Sequence, residues 1–88
     1  MNRWMDKKNV DRYQQGIERY LEDKGPIHRV IKFDWGFSAA VELKDDYVNY
    51  NFEYQGEDEF SVKMMTNVWD EEDYLRERTE EMGFITVK

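Results

Sequence analysis

Cysteine is absent from this 88-residue chain, and histidine and proline occur once each. Without cysteine there is neither a disulfide framework nor a thiolate zinc site. A single histidine, His28, forms no convincing metal set and no Cys-His pair. No apolar run approaches the ~20 residues that span a bilayer. The opening "MNRWMDKKNV" is too polar for a secretory signal. These absences predict a cytoplasmic protein that does not enter a membrane.

Catalytic motifs are missing as well. Neither the P-loop nor the dinucleotide glycine pattern occurs. Ser38 or Ser61 completes a Ser-His-Asp set only on paper, because nothing around either serine resembles a nucleophile elbow. "DDYVNYNFE" has acids but lacks the spacing and central glycine of an EF-hand loop. We expect no enzyme, no cofactor and no metal.

Positive charge is the other scarcity. Thirteen Lys and Arg face twenty Asp and Glu, a formal net charge of −7. The imbalance is uneven. Residues 1–44 hold nine basic and seven acidic residues, a net of +2; residues 45–88 hold four and thirteen, a net of −9. Direct nucleic-acid binding needs Lys and Arg for the phosphates, so DNA and RNA are poor partners. The asymmetry favours an electrostatic protein partner instead.

What is abundant is aromatic. Six Tyr, five Phe and three Trp make up 16% of the chain, enough bulk to pack a small core. The length suits one domain, residues 1–88. We find no linker, repeat or low-complexity segment.

In "NVDRYQQGIERYLEDKGP", Val10, Tyr13, Ile17, Tyr20 and Leu21 recur at three- and four-residue spacings and predict a helix. Asp6 or Asn9 is placed to cap it, and Gly25-Pro26 to stop it. Gly16 within it marks either close packing or a tolerated weakness. The period then changes to two. Ile27, Ile31, Phe33 and Trp35 alternate with His28, Val30, Lys32 and Asp34. Phe37, Ala39, Val41 and Leu43 form the apolar face of the next segment, then Val48, Tyr50, Phe52 and Tyr54, then Phe60, Val62 and Met64. Short connections imply antiparallel neighbours.

The stretch "VWDEEDYLRERTEEMGF" has a helical reading over Asp70–Met82. Asp70 caps it, and acids in its first turn suit the helix dipole. Glu80 and Glu81 fall in the last turn, where that explanation fails. On a helical wheel Asp73, Glu77 and Glu80 lie opposite Leu75, flanked by Asp70 and Glu81. The predicted fold is α+β and two-layered. An N-terminal helix precedes a four-stranded antiparallel meander and a C-terminal acidic helix. "FITVK" adds a short last strand or a loose tail.

A rigid row of carboxylates can occupy a Lys- and Arg-lined groove that normally holds phosphates. We therefore expect a small acidic inhibitor of a nuclease or other nucleic-acid-binding protein, a decoy of the anti-CRISPR or anti-restriction type. The binding residues would be Asp70, Asp73, Glu77, Glu80 and Glu81, with Glu57, Asp58 and Glu59 as a second patch and Trp69 or Tyr74 as an aromatic anchor. The competing structural explanation is a solvated helix that keeps the protein soluble. The competing function is a chaperone or adaptor domain that uses its sheet face or edge. The candidate outer face for that role is Val30, Ala40, Tyr47 and Met65. A monomer and a homodimer are both compatible with the sequence.

Overall fold

The computed structural model describes residues 4–43, 46–69 and 75–87; at 46, 67–69 and 75–77 the description is of the backbone alone. A single 3-10 turn, Lys7–Asn9, is capped by Asp6, whose carboxylate accepts from the Lys8 N–H at 3.2 Å. The helix α1, Val10–Leu21, follows at once. Asn9 occupies its N-cap position without a side-chain hydrogen bond. Tyr13, Ile17 and Leu21 are buried, and Val10 and Tyr20 pack beside them, so the apolar stripe faces the core as its spacing requires.

Five antiparallel strands form one sheet in sequence order: β1 Ile27–Phe33, β2 Gly36–Leu43, β3 Asp46–Gly56, β4 Glu59–Trp69 and β5 Leu75–Thr86. The fold is α+β, with α1 on one face. Phe37, Ala39, Val41, Val48, Tyr50, Phe52, Phe60 and Val62 are buried on that face. The inward sets predicted for β2, β3 and β4 hold, except that Leu43, the last residue of β2, is exposed.

Two expectations are corrected. The first is the C-terminal acidic helix. Leu75–Thr86 is a strand, paired with β4 from Trp69↔Leu75 to Glu59↔Thr86. The predicted short last strand is its final part, and the sheet has five strands rather than four. Leu, Arg and Glu favour helix only weakly, by tenths of a kcal/mol per residue, and an eleven-residue β4 presents a whole ladder of backbone partners.

The second correction concerns β1. A β-bulge between Ile27 and Arg29 shifts the register. Val30 therefore packs against the core, while Ile31 and Phe33 project from the opposite face. The signal for this was in the neighbouring strand. A two-residue turn at Asp34-Trp35 pairs Phe33 with Gly36 and Lys32 with Phe37. Because Phe37 points inward, Lys32 and Val30 must lie on the same side as it.

Gly16 is a close-packing position. A Cβ there would lie 2.5 and 2.9 Å from the two methyl carbons of Val87, whose N–H donates to the Asp58 carbonyl at 2.8 Å. Gly16→Ala gains up to about 1 kcal/mol of helix propensity and meets an overpacking cost of about 1–3 kcal/mol. We expect net destabilisation of about 1 kcal/mol. In a Val87→Ala background the two methyl contacts disappear and only the Cβ of residue 87, 3.2 Å away, remains, so the cost should shrink, which urea unfolding reads directly.

Among the described residues no helix is long and apolar enough to cross a membrane.

Candidate protein-binding surface

The helix covers one side of the sheet only. Three rows of side chains cross the other side, which we term the outer face. They are Phe33, Gly36, Glu53, Ser61 and Phe84; Ile31, Ser38, Asn51, Lys63 and Glu81; and Arg29, Ala40, Asn49, Met65 and Thr79. Small and uncharged residues occupy much of the middle. Larger apolar groups sit toward the rims: Ile31 is 37% exposed, Phe33 38% and Phe84 67%. Phe33 stacks on Trp35, with ring centroids 4.8 Å apart and planes 6° from parallel, giving a flat aromatic platform at the β1 end. Tyr47, 47% exposed, lies against His28 at 4.9 Å, and His28 approaches Glu42 at 3.7 Å. Of the outer-face residues predicted from sequence, Ala40, Tyr47 and Met65 are on this side of the sheet and Val30 is not. Ile31 and Phe33 were missed because the bulge reverses their face.

The predicted acidic row is not continuous. Asp70, Asp73 and Tyr74 lie outside the described residues. Trp69 closes β4 opposite Leu75, and Glu77 pairs with Asn67. Glu80 and Glu81 are both exposed, but as neighbours on a strand they project to opposite faces, Glu80 across from Met64 and Glu81 across from Lys63. Arg76 and Arg78 alternate with the acids. Exposed charged side chains on a sheet edge hinder unwanted strand pairing, which gives Arg78, Glu80 and Glu81 a structural explanation that the helical wheel did not reveal.

Glu57, Asp58 and Glu59 form the β3–β4 turn and the first residue of β4. Glu57 and Asp58 both take positive φ, 53° and 64°, the backbone of a tight two-residue hairpin. Glu57 and Glu59 are exposed. Glu59 is four residues along β4 from Lys63, the partner of Glu81, so the two acidic groups lie roughly 13 Å apart along the strand.

Asp58 has a different task from its neighbours. Its Oδ1 accepts from the Tyr13 hydroxyl at 2.6 Å and from the Arg12 guanidinium at 3.0 Å. Arg12 also donates to the Val87 carbonyl at 3.4 Å. The hairpin, the helix and the C-terminal residues are thereby tied together. The hydrogen bond from Tyr13, then the one from Arg12, holds the Asp58 carboxyl below its usual range. Tyr13 shifts upward, first from burial and then from its bond to Asp58.

A depressed folded-state pKa stabilises the protein above the unfolded value, about 3.9 for aspartate, and that contribution disappears as pH falls through the folded value. Asp58→Asn keeps a residue that tolerates positive φ. It should lower Tm by several degrees at neutral pH, and the gap from wild type should close in acid. Tyr13→Phe should cost about 1.5 kcal/mol, the low end for a bond to a charged acceptor, because Asp58 retains access to water. Thermal unfolding across pH checks both.

One hollow of about 370 Å³ is lined by Met5, Lys7, Val10, Asp11, Lys32, Phe33 and Asp34. Its charged side chains, Lys7, Asp11, Lys32 and Asp34, are all exposed. Among the described residues no cluster of His, Asp and Glu could hold a metal ion. No protein-family model, curated protein or solved structure matches this chain.

Proposed function

We propose that this protein is a non-enzymatic binding module that engages a protein partner through the outer face of its sheet. One observation carries the reading. The helix covers one side, and the other carries Ile31, the Phe33–Trp35 platform, Tyr47 and Met65 without a covering layer among the described residues. Aromatic groups beside polar ones are common anchors at protein interfaces. The net charge of −7 favours a cationic partner and disfavours nucleic acid itself. This is the adaptor-type alternative of the sequence reading, with Val30 replaced by Ile31 and Phe33.

A second reading rests on the exposed carboxylates. Glu57 and Glu59 at the hairpin, with Glu80 and Glu81 on β5, could occupy the phosphate groove of a nuclease or other nucleic-acid-processing protein. These acids would be presented as separate patches by a turn and an edge strand, with Glu80 and Glu81 on opposite faces, not as one row on a helix.

Affinity capture from lysate of the source cells, at about 50 and 500 mM salt, separates the two because salt screens exposed charge. The wild type runs beside Ile31→Lys/Phe33→Lys and beside a variant with Glu57, Glu59, Glu80 and Glu81 changed to Lys. A partner that survives high salt and charge reversal but is lost on altering Ile31 and Phe33 supports the outer-face reading. A nucleic-acid-binding protein held only at low salt, and only with the acids intact, supports the decoy. A protein retained equally by all three refutes both readings.

A further inference from the structure

Strand β5 is one of the two edge strands of the sheet, β1 being the other, and divides into two chemically different halves. Arg76–Glu81 carries a charge at every position but Thr79, which blunts that part against strand pairing. Met82–Thr86 carries none. Met82 and Phe84 are among the most exposed large apolar residues described. Register also changes here: Val62 pairs with Gly83 and Lys63 with Glu81, leaving Met82 as the extra residue of a bulge.

Beside this uncharged half, on the helix side of the edge, lies a hollow of about 560 Å³ lined by Gly16, Arg19, Tyr20, Ile85, Thr86 and Val87. Gly16 and Val87 pack together in its wall, where the Val87 methyl groups take the space a Cβ at Gly16 would occupy. A strand added to the edge has side chains that alternate between the two faces. Those on the helix side would enter the hollow, and those on the outer side would lie over Phe84.

We propose that Met82–Thr86 is a strand-acceptor edge, and that its occupant is an extended segment of a cationic partner protein that adds to β5 as a sixth strand. Main-chain hydrogen bonds would supply affinity and the hollow and Phe84 side-chain selectivity, as in β-augmentation generally. The adjoining Glu80 and Glu81, within a half-chain of net charge −9, favour Lys or Arg at the end of that segment. A second copy of this chain fits less well. Two-fold pairing of whole β5 strands sets Glu80 of one directly against Glu81 of the other, between chains of like net charge.

The inference deepens the binding-module reading by naming a second surface and the form of its ligand. Its test uses three synthetic peptides: three lysines followed by Val-Thr-Val-Thr-Val, the same peptide with three glutamates, and the lysine peptide N-methylated at alternate residues. Backbone amide shifts of the full chain are followed by NMR at about 50 mM salt, where exposed charges are weakly screened. The lysine peptide should perturb amides of Met82–Thr86 and bind at least about fivefold tighter than the glutamate peptide. N-methylation, which removes donors, should abolish binding, and Phe84→Lys should weaken it about tenfold while thermal unfolding confirms the fold. Equal binding of the N-methylated peptide, no shifts at Met82–Thr86, or a dimer that protects those amides without peptide overturns the proposal. Shifts confined to Ile31, Phe33 and Met65 overturn it too, while leaving the outer-face reading intact.

Discussion

Gly36→Ala should abolish cooperative folding or lower stability by about 3 kcal/mol or more, from overpacking and backbone strain together. Gly36 opens β2 directly after the Asp34-Trp35 turn and has φ +155°. A Cβ added there would fall on the carbonyl oxygen of Phe52, and the next nearest atoms are also Phe52 and Glu53 backbone. No rotamer change relieves a clash with backbone. Strand β3 would have to move, and with it buried Val48, Tyr50 and Phe52. The adjoining bond, from the Tyr54 N–H to the Trp35 carbonyl at 2.8 Å, would be disturbed as well. At ~4–8 °C per kcal/mol for a domain of this size, Tm should fall by about 12 °C or more. Gly83→Ala is the matched control. Its φ is also positive, +95°, but a Cβ there meets nothing within 4 Å, so only the backbone strain of about 1 kcal/mol remains. Equal effects at the two positions would sink the close-approach argument.

Phe60→Ala carries the second large effect, about 3–5 kcal/mol from lost burial and a residual cavity. Phe60 is fully buried and joins elements that are distant in sequence. Its ring meets Tyr13 of α1 edge-on with centroids 5.1 Å apart, Tyr54 of β3 at 5.3 Å and Phe37 of β2 at 6.2 Å. Truncation removes the common partner of all three rings. Small domains hold about 5–15 kcal/mol in total, so this one change takes a large share. Phe60→Leu keeps most of the volume and should cost about 1.5 kcal/mol or less. In urea, both variants should lower the midpoint without altering the m-value, because the fold that unfolds is the same.

Much of this architecture was legible in the chain. The helix over Val10–Leu21, its stop at Gly25-Pro26 and the inward faces of β2, β3 and β4 follow from apolar periodicity, since each element buries one face. Before the short last strand predicted at Phe84, the residues of β5 from Leu75 gave no such signal. From Arg78 to Phe84 every residue is exposed, so neither face of that part of β5 is selected for burial and no two-residue alternation develops. What remained was local composition, which favours helix. The candidate site was less legible for the same reason. Ile31 and Phe33 share a segment with Val30 and Lys32, and only pairing with β2 decides which of the two sets is buried.

Composition and spacing by themselves determined the absence of cysteine chemistry, the acidic second half, the first helix and four of the five strands, though not the face that β1 buries. These are properties of single residues and of short repeats along the chain. Tertiary structure alone decided that the acidic segment pairs with β4, that Glu80 and Glu81 face opposite ways, that Asp58 binds Tyr13 and Arg12, and that Gly16 receives Val87. Each of those outcomes depends on pairing or packing between separate elements, and its free energy exists only when the other elements are already in place.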